Sequence, residues 1–200
     1  MIMKKTLSLA ASIISFVIIQ LFIFTNSNSE ENNIKYYAKD NGILSIMYHR
    51  FNENKYPSTN IKIEDFKSHI NLIKESGFRM ISFQEFKNSI KQNNSDKKVL
   101  LTIDDGFSSF YKKAWPILKK DKIPFIIFIN TETVGASGYM NWSEIKEISK
   151  YDFVYIGNHS HSHGYLVDKS DENFRKDIKE AKRILKEKLN YDTKIFAYPF

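Results

Sequence analysis

The chain has 200 residues, 42% of them hydrophobic, 14% aromatic and 26% charged, which excludes a disordered, collagen-like or coiled-coil protein and suffices for one folded core. Its formal net charge of +7 is spread through Lys/Glu mixtures such as Lys176-Asp177-Ile178-Lys179-Glu180, which read as solvated helix faces. Basic residues are not interleaved with aromatics as a nucleic-acid module requires, so no nucleic-acid partner is expected. The absence of cysteine excludes thiolate zinc sites and a thiol nucleophile.

The elements are legible in chain order. Lys4 and Lys5 precede an apolar run from Leu7 to Phe24, the pattern of an export signal. The run is also long enough to cross a bilayer as a helix, with the lysines left inside. It fits both a cleaved signal and an uncleaved membrane anchor, followed by a polar linker from Asn26 to Asn33. From residue 42 onward, short β-branched and aromatic runs alternate with helical patterns. The predicted strands are Ile43–Met47, Phe78–Ile81, Lys98–Ile103, Pro124–Ile129, Phe153–Ile156 and Lys194–Tyr198.

Between them, Ile63, Phe66, Ile70 and Ile73 share a helix face that Gly77 ends. Ser82 with Glu85, and Asn141 with Glu144, have the spacing of capping boxes. Residues 107–120 read as a helix with a kink or restart at Pro116. A last helix, from about Ser170 to Leu189, aligns Phe174, Ile178, Ala181, Ile184, Leu185 and Leu189 on one stripe. Such alternation predicts an α/β fold with a mostly parallel sheet, whose sites form in the loops after the strands.

Two motifs meet that expectation. Leu100-Leu101-Thr102-Ile103 runs into Asp104-Asp105-Gly106, which puts two carboxylates at a strand's carboxyl end. Neighbouring residues on a strand point to opposite sides, but a turn at Gly106 can bring both acids into one pocket. Read alone, Asp-Asp-Gly is equally a polar turn. The second motif, His159-Ser160-His161-Ser162-His163, also follows a strand. Three of the chain's five histidines fall within it, and imidazole is the commonest neutral nitrogen ligand. His159 and His163 both turn inward if the loop is one helical turn, leaving His161 as the odd member. Two histidines and one carboxylate with open positions suit a catalytic divalent ion, zinc or another first-row metal. The spare aspartate can then take a proton from water.

These residues carry a resemblance. Thr102-Ile103-Asp104-Asp105-Gly106, His159-Ser160-His161-Ser162-His163 and Ala197-Tyr198-Pro199-Phe200 resemble, in order and spacing, the first three motifs of the NodB-type polysaccharide deacetylases, carbohydrate esterase family 4. Ile46-Met47-Tyr48-His49-Arg50 resembles the opening strand of many members, so the likeness spans roughly residues 42 to 200. It implies an incomplete, distorted (β/α) barrel of the NodB homology type, preceded here by the N-terminal hydrophobic helix. It also implies a metal-dependent enzyme that removes N-acetyl groups from an N-acetylglucosamine-containing polysaccharide. Asp104 resembles the general base, and Asp105, His159 and His163 resemble the metal ligands, with zinc the usual ion. Tyr198, Pro199 and Phe200 would line the substrate groove, and Tyr139, Trp142 and Tyr165 lie near enough to the loops to stack on sugars.

Two departures qualify the resemblance. Where the family's third motif has an arginine that orients the base, this chain has Ala197, and Arg50 is a candidate substitute. The family's final histidine, its general acid, has no counterpart: His69 reads as a helix-surface residue and His49 comes too early. The expectation is therefore a signal or anchor with linker over residues 1–32, then a deacetylase domain over 33–200 truncated at its C-terminus. Such a chain binds metal and deacetylates poorly. The alternative is a non-catalytic carbohydrate- or metal-binding protein of the cell envelope. Either would be exported and act at the periplasmic or extracellular face, held at the membrane if the segment 7–24 is retained.

Overall fold

A computed structural model of the chain describes residues 42–91 and 96–200. The predicted N-terminal hydrophobic helix and its linker lie outside them. Among the described residues no helix is long and apolar enough to cross a membrane.

Strand β1 (Ile43–Tyr48) is followed by two short strands, β2 (Arg50–Phe51) and β3 (Asn60–Ile61), and by helix α1 (Ile63–Glu75). Then come β4 (Arg79–Met80), α2 (Phe83–Ser89) and β5 (Lys98–Ile103). A wide π turn (Phe110–Ala114) leads into α3 (Trp115–Lys120), β6 (Phe125–Ile129) and α4 (Trp142–Ile148). Strand β7 (Val154–Asn158), a single 3-10 turn (Leu166–Asp168) and the long α5 (Asp171–Leu189) complete the order.

The main sheet is parallel throughout, in the order β1-β5-β6-β7. Strand β4 pairs with the start of β5, along the edge that β6 takes further on. Every residue of β5 and β6 is buried, as expected for strands covered on both faces. The period of two sorts their side chains. Val99, Leu101, Ile103, Phe125, Ile127 and Ile129 join the core under the helices. Leu100, Ile126 and Phe128 pack with Ile81 and Phe83 on the other face. Helix α1 adds Phe66, Ile70 and Ile73 to the main core. Phe66 meets Tyr48 and Phe51 edge-on at 5.1 and 5.0 Å between ring centroids. Burying one such phenylalanine contributes about 1.5–3 kcal/mol.

Three predicted features differ. The sixth strand, expected over 194–198, is reduced to one parallel bridge between Asn158 and Phe196. Two backbone bonds hold it, and Pro199, having no N–H, cannot extend the ladder. Ser82 caps α2 by accepting from the Glu85 N–H, but the Glu85 carboxylate turns to Arg79, so the box is half made. Asn141 and Glu144 do form both halves. Ahead of Pro116 the helix widens, and the Trp115 N–H reaches back to the Phe110 carbonyl. The wider turn carries the preceding carbonyls clear of the proline ring, which has no hydrogen to offer them.

Strand β7 runs two residues past its predicted end, so His159 follows it at once. Its Gly157 leaves room for Phe128, whose ring sits 6.2 Å from that of His159. A Cβ at Gly157 would lie 2.3 Å from the Phe128 ring. We therefore expect Gly157→Ala to cost about 1–3 kcal/mol through overpacking, read as a lowered urea midpoint with unchanged far-UV circular dichroism. An unchanged midpoint would contradict this packing.

Candidate metal and catalytic site

The site forms where β1, β5 and β7 end. The Asp104 N–H still donates to the Tyr48 carbonyl, at 2.9 Å, as the last link between β5 and β1. The next two residues leave the strand with left-handed backbone, Asp105 at φ +72° and Gly106 at φ +74°. The turn thus begins one residue earlier than the glycine alone suggests. A non-glycine residue pays for this conformation in strain, and such strain gathers at functional sites. Gly106 is needed for space as well, since a Cβ there would come within 2.9 Å of Ile129 Cδ1.

The turn carries both carboxylates toward the histidine loop. Asp105 Oδ1 lies 2.7 Å from His163 Nε2 and 3.4 Å from His159 Nε2. Asp104 Oδ2 lies 4.0 Å from His159 Nε2. The ligand atoms of Asp105, His159 and His163 all fall within 4.8 Å of one another. His159 Nδ1 donates to the Ala197 carbonyl at 3.0 Å. A carbonyl can only accept, so this bond leaves the Nε2 lone pair facing the carboxylates. Two imidazoles and one carboxylate, drawn together and largely buried, fit a divalent cation.

The two aspartates differ electrostatically. Burial pushes the Asp104 carboxyl above the ordinary carboxylate range, against the charges of His159 and His49. Its Oδ1 is buried without a hydrogen-bond partner. At Asp105, burial is outweighed by the nearby His159 and His163, which hold it well below the ordinary range. At His159, burial works against the charged form, but Asp105, Asp104 and the Ala197 carbonyl raise it overall.

The histidine loop is not a helical turn. Ser160 (φ +70°) and His163 (φ +51°) reverse the backbone, and the His163 N–H donates to Ser160 Oγ at 2.9 Å. His161 turns away and meets Thr131 Oγ1 at 2.9 Å through Nδ1. Asp177 of α5 holds the loop: its Oδ1 accepts from the His161 and Ser162 N–H groups at 2.6 and 3.2 Å. Its Oδ2 takes the Ser162 hydroxyl at 2.6 Å and Lys169 Nζ at 3.3 Å. Asp177 is therefore no part of a solvated helix face. Its spacing from Phe174 and Ala181, on the buried stripe, is the sequence signal that marks it.

His49, set aside from sequence, follows β1 directly, and its charge acts on the Asp104 carboxyl. Arg50 does not replace the arginine missing at Ala197: its guanidinium pairs with Glu53 at 2.9 Å and lies over the Phe107 ring. Of the three predicted groove residues, Phe200 stands edge-on to His163 at 5.1 Å and Pro199 is buried. Tyr198 instead stacks on Phe174 of α5. Tyr165 packs beside Phe200, and Tyr139 against Phe107.

Comparison with known proteins agrees with this geometry. A family model described as polysaccharide deacetylase matches residues 91–200. The poly-beta-1,6-N-acetyl-D-glucosamine N-deacetylase of Staphylococcus aureus (strain N315) is 25% identical over 190 residues, covering 81% of this chain and 66% of that protein. YxkH of Bacillus subtilis, named for the same family, is 24% identical over 156 residues, 77% of this chain and 55% of its own. The chain thus spans between 55% and 66% of the length of these curated relatives. Among solved structures, IcaB from Ammonifex degensii superposes with a TM-score of 0.71 at 29% identity, over 79% of this chain and 74% of that one. The Streptococcus pyogenes deacetylase PplD, in complex with acetate, gives 0.70 at 25% identity, over 78% and 73%.

Asp177→Ala would strip an acceptor from two backbone N–H groups, a hydroxyl and an ammonium, and we expect it to cost about 3 kcal/mol. Burial raises the Asp177 carboxyl, but Ser162, the two N–H groups and Lys169 outweigh it and hold it low. A carboxyl lowered on folding stabilises the protein above its unfolded pKa and loses that contribution as pH falls toward the folded one. Urea titrations at pH 7 and in the acid range should therefore show the gap between wild type and variant narrowing in acid. A gap that widens there would contradict the assignment.

Proposed function

Because the chain belongs to the polysaccharide deacetylase family, we propose that it is a metal-dependent hydrolase removing N-acetyl groups from an N-acetylglucosamine-containing polysaccharide. One observation carries the reading: the buried, unpartnered carboxylate of Asp104 stands beside a converging aspartate and two histidines at the ends of parallel strands. The name of the S. aureus relative supports a β-1,6-linked N-acetylglucosamine polymer as substrate. Acetate bound to the S. pyogenes deacetylase supports the acyl group released.

Asp105, His159 and His163 would hold a divalent ion, with zinc favoured by the two imidazoles. When bound, the ion supplies Lewis acidity toward the acetamide oxygen and the attacking water. Asp104 accepts the proton of that water as its oxygen bonds to the carbonyl carbon, and its raised carboxyl suits a base that must hold the proton. His49, at the end of β1, gives a proton to the sugar nitrogen as the C–N bond breaks. The products are acetate and a free amine. Phe200, set against His163, lines one wall of the groove. The lysines and apolar run at residues 4–24 support export, so that the enzyme meets its polymer outside the cytoplasm.

The test is acetate release from β-1,6-linked N-acetylglucosamine oligomers by the full chain, with zinc and with a chelator. We expect chelator-sensitive release that Asp104→Asn lowers about 10²–10⁴-fold while zinc still binds one per chain. Release by Asp104→Asn at the wild-type rate would remove Asp104 from its role. His49→Gln should lower kcat by about 10²-fold or more and flatten one limb of the pH–rate profile. A wild-type profile in that variant would assign the acid elsewhere. Oligomer binding with no release under any metal would favour the non-catalytic envelope protein.

A further inference from the structure

We propose that the exposed ring of Tyr56 is a stacking platform for a sugar unit neighbouring the one that reacts, so that the site takes a polymer and not a single sugar. The inference rests on the polysaccharide reading of the site. Tyr56 is 55% exposed, and its backbone is left-handed, at φ +62°. That conformation is rare for a bulky residue, and rarer directly before a proline, here Pro57, which favours extended backbone. Strain of this kind persists only where the surroundings impose it.

The surroundings do impose it. The Arg50 guanidinium lies 4.2 Å from the Tyr56 centroid and 3.4 Å from that of Phe107. Phe107 in turn packs on Tyr139 at 4.8 Å. One continuous stack therefore runs from Phe107, two residues after Asp105, out to Tyr56. Phe107 also bridges to Tyr139 through the backbone, and its place two residues after Asp105 ties the stack to the site. Glu53 holds Arg50 at 2.9 Å. The Glu53 N–H and carbonyl are both taken by the Asn60 carboxamide, each at 2.9 Å. The short β2–β3 pair and the Thr59 N–H bond to the Tyr56 carbonyl close the loop.

Arg50 supports the ring from one side and leaves Tyr56 substantially open to solvent. An exposed, fixed aromatic face beside a hydrolytic site suits the apolar face of a pyranose, and a stapled loop loses little freedom on binding. The chemistry asked of the partner is an uncharged sugar ring linked to the one being deacetylated.

Calorimetry with the full chain tests this, using a β-1,6-linked N-acetylglucosamine pentamer and the monosaccharide, with acetate release measured in parallel. Tyr56→Ala should weaken pentamer binding about tenfold and leave monosaccharide binding alone, while Tyr56→Phe binds both like wild type. Equal pentamer affinity in wild type and Tyr56→Ala, with acetate still released, overturns the platform and spares the deacetylase reading. An equal loss for pentamer and monosaccharide also overturns it, since a merely structural role acts on both. Pentamer binding that depends on the ring, without acetate release, keeps the platform and overturns the catalytic reading.

Discussion

Everything in the site depends on how the chain leaves β5. A straight strand would send Asp104 and Asp105 to opposite faces of the sheet. Two successive left-handed residues cancel that alternation and deliver both carboxylates to the same imidazoles. The turn is possible because Gly106 accepts the conformation and the contact with Ile129, and it leaves Asp105 beside His159 and His163. Burial of β5 along its whole length fixes where the turn falls.

The same turn gives two adjacent, chemically identical side chains different tasks. Asp105 faces two histidines and stays charged, as a ligand must. Asp104 is more deeply buried, and burial raises its carboxyl. Separation of two carboxyl pKa values by environment is a general way to divide acid–base work. Here a change of one residue in position achieves it.

Much of this was legible in the sequence, and the failures share a cause. β5 and β6 are read correctly because short, mostly apolar β-branched runs bounded by turn residues mark strands buried on both faces. The aspartates and the outer histidines of the loop are found because strand ends are where such folds place chemistry. Residues 194–198 mislead because composition reports the wish to be buried, and Pro199 denies the hydrogen bonds that would make a strand. Asp177 is missed because it acts from a distant helix. Asp177 left a faint trace as a lone acid on an apolar stripe, which a charge census reads as solvation.

Asp177 also makes the site mechanically continuous with α5. The histidine loop has no regular structure of its own, and its backbone is tied down from a helix that begins beyond the Leu166–Asp168 turn. Lifting α5 from the sheet would release the loop in the same event, so docking of the helix and order in the loop form one cooperative unit. A cut in the turn between them would leave every ligand residue in the chain while uncoupling the loop from its brace.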